Sequence, residues 1–277
     1  MPSAFASTTL AGDVQQERST TMLLPTLDQA AEIAWDPALS KLRGVYGFDS
    51  IDPRSRSFNM IRAKLMELRR DRKWRMIGVV SATPNVGKSF ISANLAAALS
   101  RDPRLQTYLL DLDLRRASLT ALFGIAPQDS LLDYLSGTGR NGAPGAYRLQ
   151  GQTLLVLPTV RGLVHSAELL AGAPAQNLFR AMRGSDERNY FIVDLPPVFA
   201  NDDAVTTMTR LDAYVLVAEE GKTTQREISD AAALLGEERL AGVILNKYRG
   251  GLMSEGYGVD AYYAKGYYGE TEESERS

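Results

Sequence analysis

The segment Ser81-Ala82-Thr83-Pro84-Asn85-Val86-Gly87-Lys88-Ser89 joins an apolar run at 76–81 to a stretch rich in Ala and Leu. A loop of small residues between a strand and a helix can turn its backbone N–H groups onto phosphate oxygens, and the helix N-terminus adds partial positive charge. Lys88 would supply a mobile cation there and Ser89 a hydroxyl for Mg²⁺, which suits the β- and γ-phosphates of a nucleoside triphosphate. Ala82 stands where the strict pattern has its first glycine, so it can serve only if its backbone keeps a negative φ. Two further motifs carry carboxylates. In Leu109-Leu110-Asp111-Leu112-Asp113-Leu114-Arg115, Asp111 and Asp113 are two apart at the end of an apolar run. That spacing puts both on one side of a strand end, where they can share a metal or take a proton, unless they merely solvate a strand-to-loop junction. In Phe191-Ile192-Val193-Asp194-Leu195-Pro196-Pro197, Asp194 closes another apolar run, either as the acid of a Mg²⁺ shell or as a cap before proline.

Chemistry spread over 113 positions needs a scaffold that brings strand ends together. Nearly continuous apolar runs of strand length occupy 76–81, 107–112, 153–158, 190–195, 213–218 and 241–246. Runs apolar on both faces belong in a parallel sheet covered by helices, and ligands of such sheets bind beyond the carboxyl ends of the strands. The intervening helices are expected at about 87–100, 131–135, 174–183, 202–210 and 223–237, the third opening on a proline. Ahead of the first strand, Phe58, Ile61, Leu65 and Leu68 recur at helical spacing over 56–72, and the basic residues from Arg69 to Arg75 read as a solvated face. The expected fold is therefore α/β, a mainly parallel β-sheet flanked by helices of the P-loop NTPase kind, over residues 52–249. Residues 1–51 read as a flexible, variable leader, with the patch around Trp35 a docking element or a short helix. Residues 250–277 read as a mobile tail.

Composition removes several other chemistries. The chain has 277 residues, no cysteine and one histidine, His165, which excludes disulfides, thiolate–zinc sites and any site needing two imidazoles. His165 itself reads as a loop residue. Lys and Arg total 31 against 33 for Asp and Glu, so no overall field gathers nucleic acid. No apolar run is long enough to span a bilayer, and the N-terminus lacks a basic start followed by an apolar stretch, which points to the cytoplasm. One excess stands out. Five of the 12 tyrosines (Tyr257, Tyr262, Tyr263, Tyr267 and Tyr268) fall in the last 21 residues, where an even spread puts about one.

With these motifs in order, the chain from about residue 52 onward resembles the bacterial tyrosine autokinases (BY-kinases) of capsule and exopolysaccharide production. The resemblance rests on 82–96, on 110–115, on Asp194-Leu195-Pro196-Pro197 with Asp203-Ala204, on Glu168-Leu169-Leu170, on Gly242-Val243-Ile244-Leu245-Asn246, and on the tyrosine-rich tail. It implies that ATP lies on Ala82, Thr83, Pro84, Asn85, Val86, Gly87, Lys88 and Ser89, with Asn246 at the adenine. It further implies Mg²⁺ held by Ser89, Asp113 and Asp194, and Asp111 accepting the tyrosyl proton, the division among the three carboxylates being open. The five tail tyrosines would be phosphorylated in trans. A membrane-bound activator of the chain-length-determinant type, self-association and a cognate tyrosine phosphatase are the implied partners, with recruitment to the inner membrane through the first. The family's Glu-x-x-Arg-x-x-Arg helix pattern, used for ring assembly, falls on Arg56, Asn59 and Arg62, of which the last alone matches. The competing reading is a nucleotide-switched positioning ATPase of the partition type without kinase activity. Such proteins carry a second lysine early in the loop, where this chain has Thr83. A third is a nucleotide-binding regulator with degraded catalysis, which Ala82 and the altered helix pattern favour.

Overall fold

Buried β-branched and aromatic runs dictate the centre of the fold. The computed structural model describes residues 24–139, 142–162 and 165–248. Its strands are β1 (Ala31–Ile33), β2 (Met76–Ser81), β3 (Gln106–Asp111), β4 (Tyr147–Leu149), β5 (Leu155–Leu157), β6 (Asn189–Asp194), β7 (Ala213–Glu219) and β8 (Leu240–Asn246). They form one sheet in the order β1-β4-β5-β3-β6-β2-β7-β8. All neighbours run parallel except β4 against β5. Six strands coincide with the apolar runs. The other two, β1 and β4, are three residues long and pair with each other at one edge, too short for a period to register.

Strand alternation divides the core into two layers. Ile77, Val79, Leu109, Tyr190 and Ile192 face one side with α2 (Arg56–Arg72), α3 (Lys88–Ser100) and α4 (Ser118–Phe123). Met76, Val80, Leu110, Phe191 and Val193 face the other, against α5 (Leu131–Leu135), α7 (Ala173–Gly184), α8 (Asp203–Met208) and α9 (Gln225–Leu235). The helix α3 is buried on every side from Ile91 to Ser100. Its alanines, Ala93, Ala96, Ala97 and Ala98, let the sheet approach closely on one side and α2 on the other, which explains a helix without an amphipathic stripe. The short helices α1 (Pro37–Leu42), α4 and α6 (Ser166–Ala171) each make fewer than two turns and leave almost no periodic trace.

The leader assignment requires correction for its second half. Residues 24–51 pack onto the domain: Val45 is buried, Trp35 meets Phe48 edge to face at 5.0 Å, and Tyr46 sits between Phe58 and Phe90. Asn94 of α3 clamps this segment. Its carbonyl oxygen accepts from the N–H groups of Tyr46 (2.9 Å) and Gly47 (3.0 Å), and its amide donates to the carbonyls of Gly44 (2.8 Å) and Phe90 (2.9 Å). Gly47 must lack a side chain, because a Cβ there would overlap the Asn94 backbone carbonyl. The segment is polar in composition because its apolar residues enter the core singly from turns. Arg75 is likewise more than a solvated charge: it donates to the carbonyls of Arg183, Ser185 and Asp186 and so closes the end of α7. Of the helix positions tied to ring assembly, Arg62 donates to the Ala98 carbonyl at 3.3 Å and Asn59 accepts from Arg101. Both are engaged by the chain's own α3 end. The five tail tyrosines lie outside the described residues.

Candidate active site

Strand order assembles the three motifs. Because β3, β6 and β2 are neighbours, the loop after β2, Asp111 at the end of β3 and Asp194 at the end of β6 meet at one edge of the sheet. Asp111 and Asp194 are paired in register and therefore project from the same face side by side, and the N–H of Leu112 donates to the Asp194 carbonyl at 2.9 Å. Asp113, one turn of loop further, brings its Oδ2 to 3.5 Å from the Lys88 ammonium, both side chains being buried.

The phosphate loop is braced from β8. Positive φ among non-glycine residues occurs at Lys73, Asn85, Ala117 and Lys247 in the described residues. Ala82 is not among them, so alanine meets the condition for standing in place of the first glycine. The Ser81 hydroxyl donates to the Thr83 carbonyl at 2.7 Å, the Asn246 amide to the Val86 carbonyl at 2.8 Å and the Lys247 ammonium to the Asn85 carbonyl at 2.8 Å. Asn246 thus touches the loop itself. Gly87 opens α3 with φ +95°, and a Cβ there would overlap the Asn246 amide. Gly87→Ala is expected to cost about 1–3 kcal/mol in urea unfolding and to weaken nucleotide binding at least tenfold by calorimetry. Asn246→Ala added to it should recover part of the stability, since the overlap is then gone. Purely additive losses would mean that the left-handed backbone, rather than the overlap, sets the cost.

The carboxylates repel one another in a dry site. Burial first, and then the adjacent Asp194, hold Asp111 well above the usual carboxylate range, although its oxygens accept from the N–H groups of Leu119 (3.3 Å) and Asp113 (3.2 Å). Asp194 is pushed up to about 6, by burial first, with Asp113 adding to the rise and Lys88 and the Ser89 and Ser92 hydroxyls opposing it. Ser92 donates to Asp194 Oδ1 at 3.0 Å, and Asp194 Oδ2 is buried without a partner. A pair of strand-end acids, a buried lysine and two hydroxyls can hold phosphates, a divalent cation and a proton in transit.

The sequence profile of the CobQ/CobB/MinD/ParA nucleotide binding domain matches residues 77–260, most of the chain and all three motifs. The chain belongs to this family. Members of the CobQ/CobB/MinD/ParA type bind nucleotide, and the loop, lysine and strand-end acids above sit within the match. Succinoglycan biosynthesis transport protein ExoP of Rhizobium meliloti is 33% identical over 179 residues, 62% of this chain and 22% of that protein. Tyrosine-protein kinase CpsD of Streptococcus pneumoniae is 28% identical over 178 residues, covering 63% of this chain and 77% of that one. Among solved structures, the kinase domain of the Escherichia coli tyrosine kinase ETK superposes with a TM-score of 0.64 at 25% identity, over 78% of this chain and 88% of that one. The chain spans about a quarter of the length of most of the curated relatives it matches, ExoP among them.

Within this nucleotide-binding domain, several site residues escape the motif reading. Ser92 lies three positions after Ser89, on the same helix face, a spacing that could have suggested it. Arg116 and Arg161 have no such signal, because the loops that carry them meet only in space. Gly162 donates to the Leu114 carbonyl at 3.3 Å, which sets Arg161 beside Arg115. The Arg115 guanidinium donates to Ser166 at 3.3 Å, and buried Asp203 faces the same hydroxyl, tying the loop after β3 to α6 and α8. With Asn85, Lys88 and Ser89 these arginines line a cleft of about 650 Å³. His165 precedes α6 with its side chain 93% exposed, away from this cleft. No helix among the described residues is long and apolar enough to cross a membrane.

Proposed function

We propose that the chain is a protein-tyrosine autokinase that binds ATP with Mg²⁺ and moves the γ-phosphoryl group to tyrosines of segment 250–277 on another copy. One observation carries this reading: Lys88, Asp113 and the unpartnered, buried Asp194 oxygen converge beside the phosphate loop of a chain that also carries five clustered tyrosines. The names of ExoP, CpsD and the ETK kinase domain support it.

The residues fit a hard divalent cation, since Asp194 Oδ2 has no protein partner and the hydroxyls of Ser89 and Ser92 flank the same carboxylate. Among the described residues no three His, Cys, Asp or Glu side chains group to hold a metal, which suits Mg²⁺, an ion that takes one or two carboxylates and otherwise water and phosphate oxygens. Ser89, Asp113 and Asp194 would hold it, and when bound it neutralises developing charge on the β- and γ-phosphate oxygens. Lys88 would bind the same phosphate oxygens. Asp111, whose proton affinity is raised by burial and by Asp194, takes the tyrosyl proton as the phenolic oxygen bonds to the γ-phosphorus and the bond to the β-phosphate oxygen breaks, releasing ADP. Asn246 holds the loop and contacts the adenine.

Each phosphotyrosine adds about −1.5 to −2 charges, so a loaded tail repels its neighbours and releases the assembly. A chain-length-determinant-type membrane protein would recruit the kinase to the cytoplasmic face of the inner membrane, a tyrosine phosphatase would reset it, and the cycle would govern exopolysaccharide polymerisation and export. The trans step is tested by mixing a Lys88→Met chain, an acceptor alone, with a chain whose five tail tyrosines are Phe, a donor alone. Phosphotyrosine on the Lys88→Met copy is expected. Label that forms in the unaltered chain and never in the mixture would mean transfer within one copy.

A further inference from the structure

Two motifs of the sequence, Glu168-Leu169-Leu170 and Asp203-Ala204, have no part in the chemistry above, yet they come together where α6 packs on α8. Asp203 is 1% exposed, and a carboxylate taken that far from water needs compensating partners. Its Oδ2 accepts from the Asn201 amide at 2.8 Å, while Oδ1 is buried without a hydrogen bond. Burial raises its proton affinity first, and the Ser166 hydroxyl and then the Arg115 charge oppose the rise. Ser166 is buried as well, and its Oγ accepts from Arg115 Nε at 3.3 Å. Packing does not require this charge. Leu170 and Ala204 share one core layer, and Arg210 already holds the far end of α6, donating to the Leu170 carbonyl at 2.8 Å.

The charge reaches further than the helix pair. Arg115 lies two positions beyond Asp113, in a turn closed by the N–H groups of Arg116 and Ala117, which both donate to the Asp113 carbonyl at 3.0 Å. Among the described residues the Asp113 side chain has one hydrogen bond, the 3.5 Å contact with Lys88, too long to fix a carboxylate by itself. Asp203 ends the loop that follows Asp194, and that loop is fastened to the phosphate loop: the N–H of Val198 donates to the Ser81 carbonyl at 2.8 Å and that of Phe199 to the Ala82 carbonyl at 3.1 Å. A circuit therefore runs from the phosphate loop through Asp203, Ser166 and Arg115 to Asp113, and back through Lys88. We infer that Asp203 and Ser166 are positioning residues: they seat Arg115 and so hold the Asp113 carboxylate beside the phosphate loop, where it would meet a bound divalent cation. The inference rests on the Mg²⁺ part of the proposed function and not on transfer to tyrosine.

Calorimetric Kd values of the full chain for ADP, taken with Mg²⁺ and with EDTA, test it, their ratio being the advantage that Mg²⁺ confers. Asp203→Asn keeps the shape and removes the charge; Arg115→Gln changes an exposed residue and should leave the fold intact even if Asp203→Asn does not. Each should cut the ratio about three- to tenfold, less than the roughly 10- to 100-fold that follows loss of a metal ligand's own partner. The two together should cost little more than either alone, because each leaves the other without its partner. In hydrogen exchange of the nucleotide-free chain, the Arg116 and Ala117 amides should exchange faster in both variants while those of β3 keep their rates. Equal losses with and without Mg²⁺, which would mark a structural role or a direct contact with nucleotide, additive losses, or unchanged exchange at 116 and 117 would overturn the inference. Asp113→Asn separates it from the reading beneath it. A parental ratio in that variant removes Asp113 from the Mg²⁺ shell, and both fall; a ratio lost there but kept in Asp203→Asn and Arg115→Gln leaves the Mg²⁺ role standing and sinks the inference alone.

Discussion

Lys88→Met is expected to lower phosphoryl transfer about 10²- to 10³-fold, the loss that follows when one preorganised charge is withdrawn from the developing transition-state charge in a dry site. The same change alters stability in a signed way. Lys88 is buried against Asp113 and is the strongest influence opposing the raised proton affinity of Asp194. Without it, Asp113 stands uncompensated beside two other buried carboxylates, and Asp194 rises further above its usual range. A carboxyl whose proton affinity is raised by folding favours the folded state when protonated, and that advantage is lost as pH climbs through its folded value. The variant should therefore melt below the parent at pH 8, with the gap closing as pH falls toward about 4, the unfolded carboxylate range. Equal melting temperatures from pH 4 to pH 8 would mean that Lys88 does not compensate the acids.

Asp194→Asn should do the reverse to stability while also ending transfer. Raising a carboxyl from its ordinary 3.8 to about 6 disfavours the ionised form by about 3 kcal/mol. Asparagine keeps the shape, can still accept from Ser92, and offers an N–H to the adjacent Asp111, which lies in register with it. In the nucleotide-free chain the variant should gain roughly 5–10 °C in melting temperature at pH 8 and lose most of the decline in stability between about pH 4 and pH 6. Transfer should fall to background, since the carboxylate that would hold Mg²⁺ is gone. A lower melting temperature at pH 8 would show that the buried charge is stabilised by something other than the neighbours named here. Destabilisation held at a site of charge transfer is a common bargain in enzymes.

Local chemistry carried much of the fold into view. β2, β3, β6 and β7 are buried on both faces, so hydrophobicity alone marks them, and Ser130 and Leu131 open a helix whose limits the sequence already gives as 131–135. The motifs at 81–89, 111–113 and 194 sit at the strand ends where they were expected because a parallel sheet leaves them nowhere else. What stayed hidden is tertiary. Asn94 is one polar residue in an alanine-rich helix, and only the fold reveals that four backbone groups of 44–47 and Phe90 depend on it. The polar stretch 24–51 joins the core through single side chains, so no periodicity betrays it. Arg161 and Arg116 are about 45 positions apart, and the cleft they share forms only where their loops meet, joined by the Gly162–Leu114 hydrogen bond.

The kinase account meets its most direct test in mass-spectrometric mapping of the chain after incubation with ATP and Mg²⁺, beside the Lys88→Met control. Phosphotyrosine at one or more of Tyr257, Tyr262, Tyr263, Tyr267 and Tyr268, absent from the control, is the predicted result. ATP hydrolysis with no phosphate on those tyrosines, even with the cytosolic segment of a chain-length-determinant-type protein present, would contradict it and mark the chain as a nucleotide-switched ATPase.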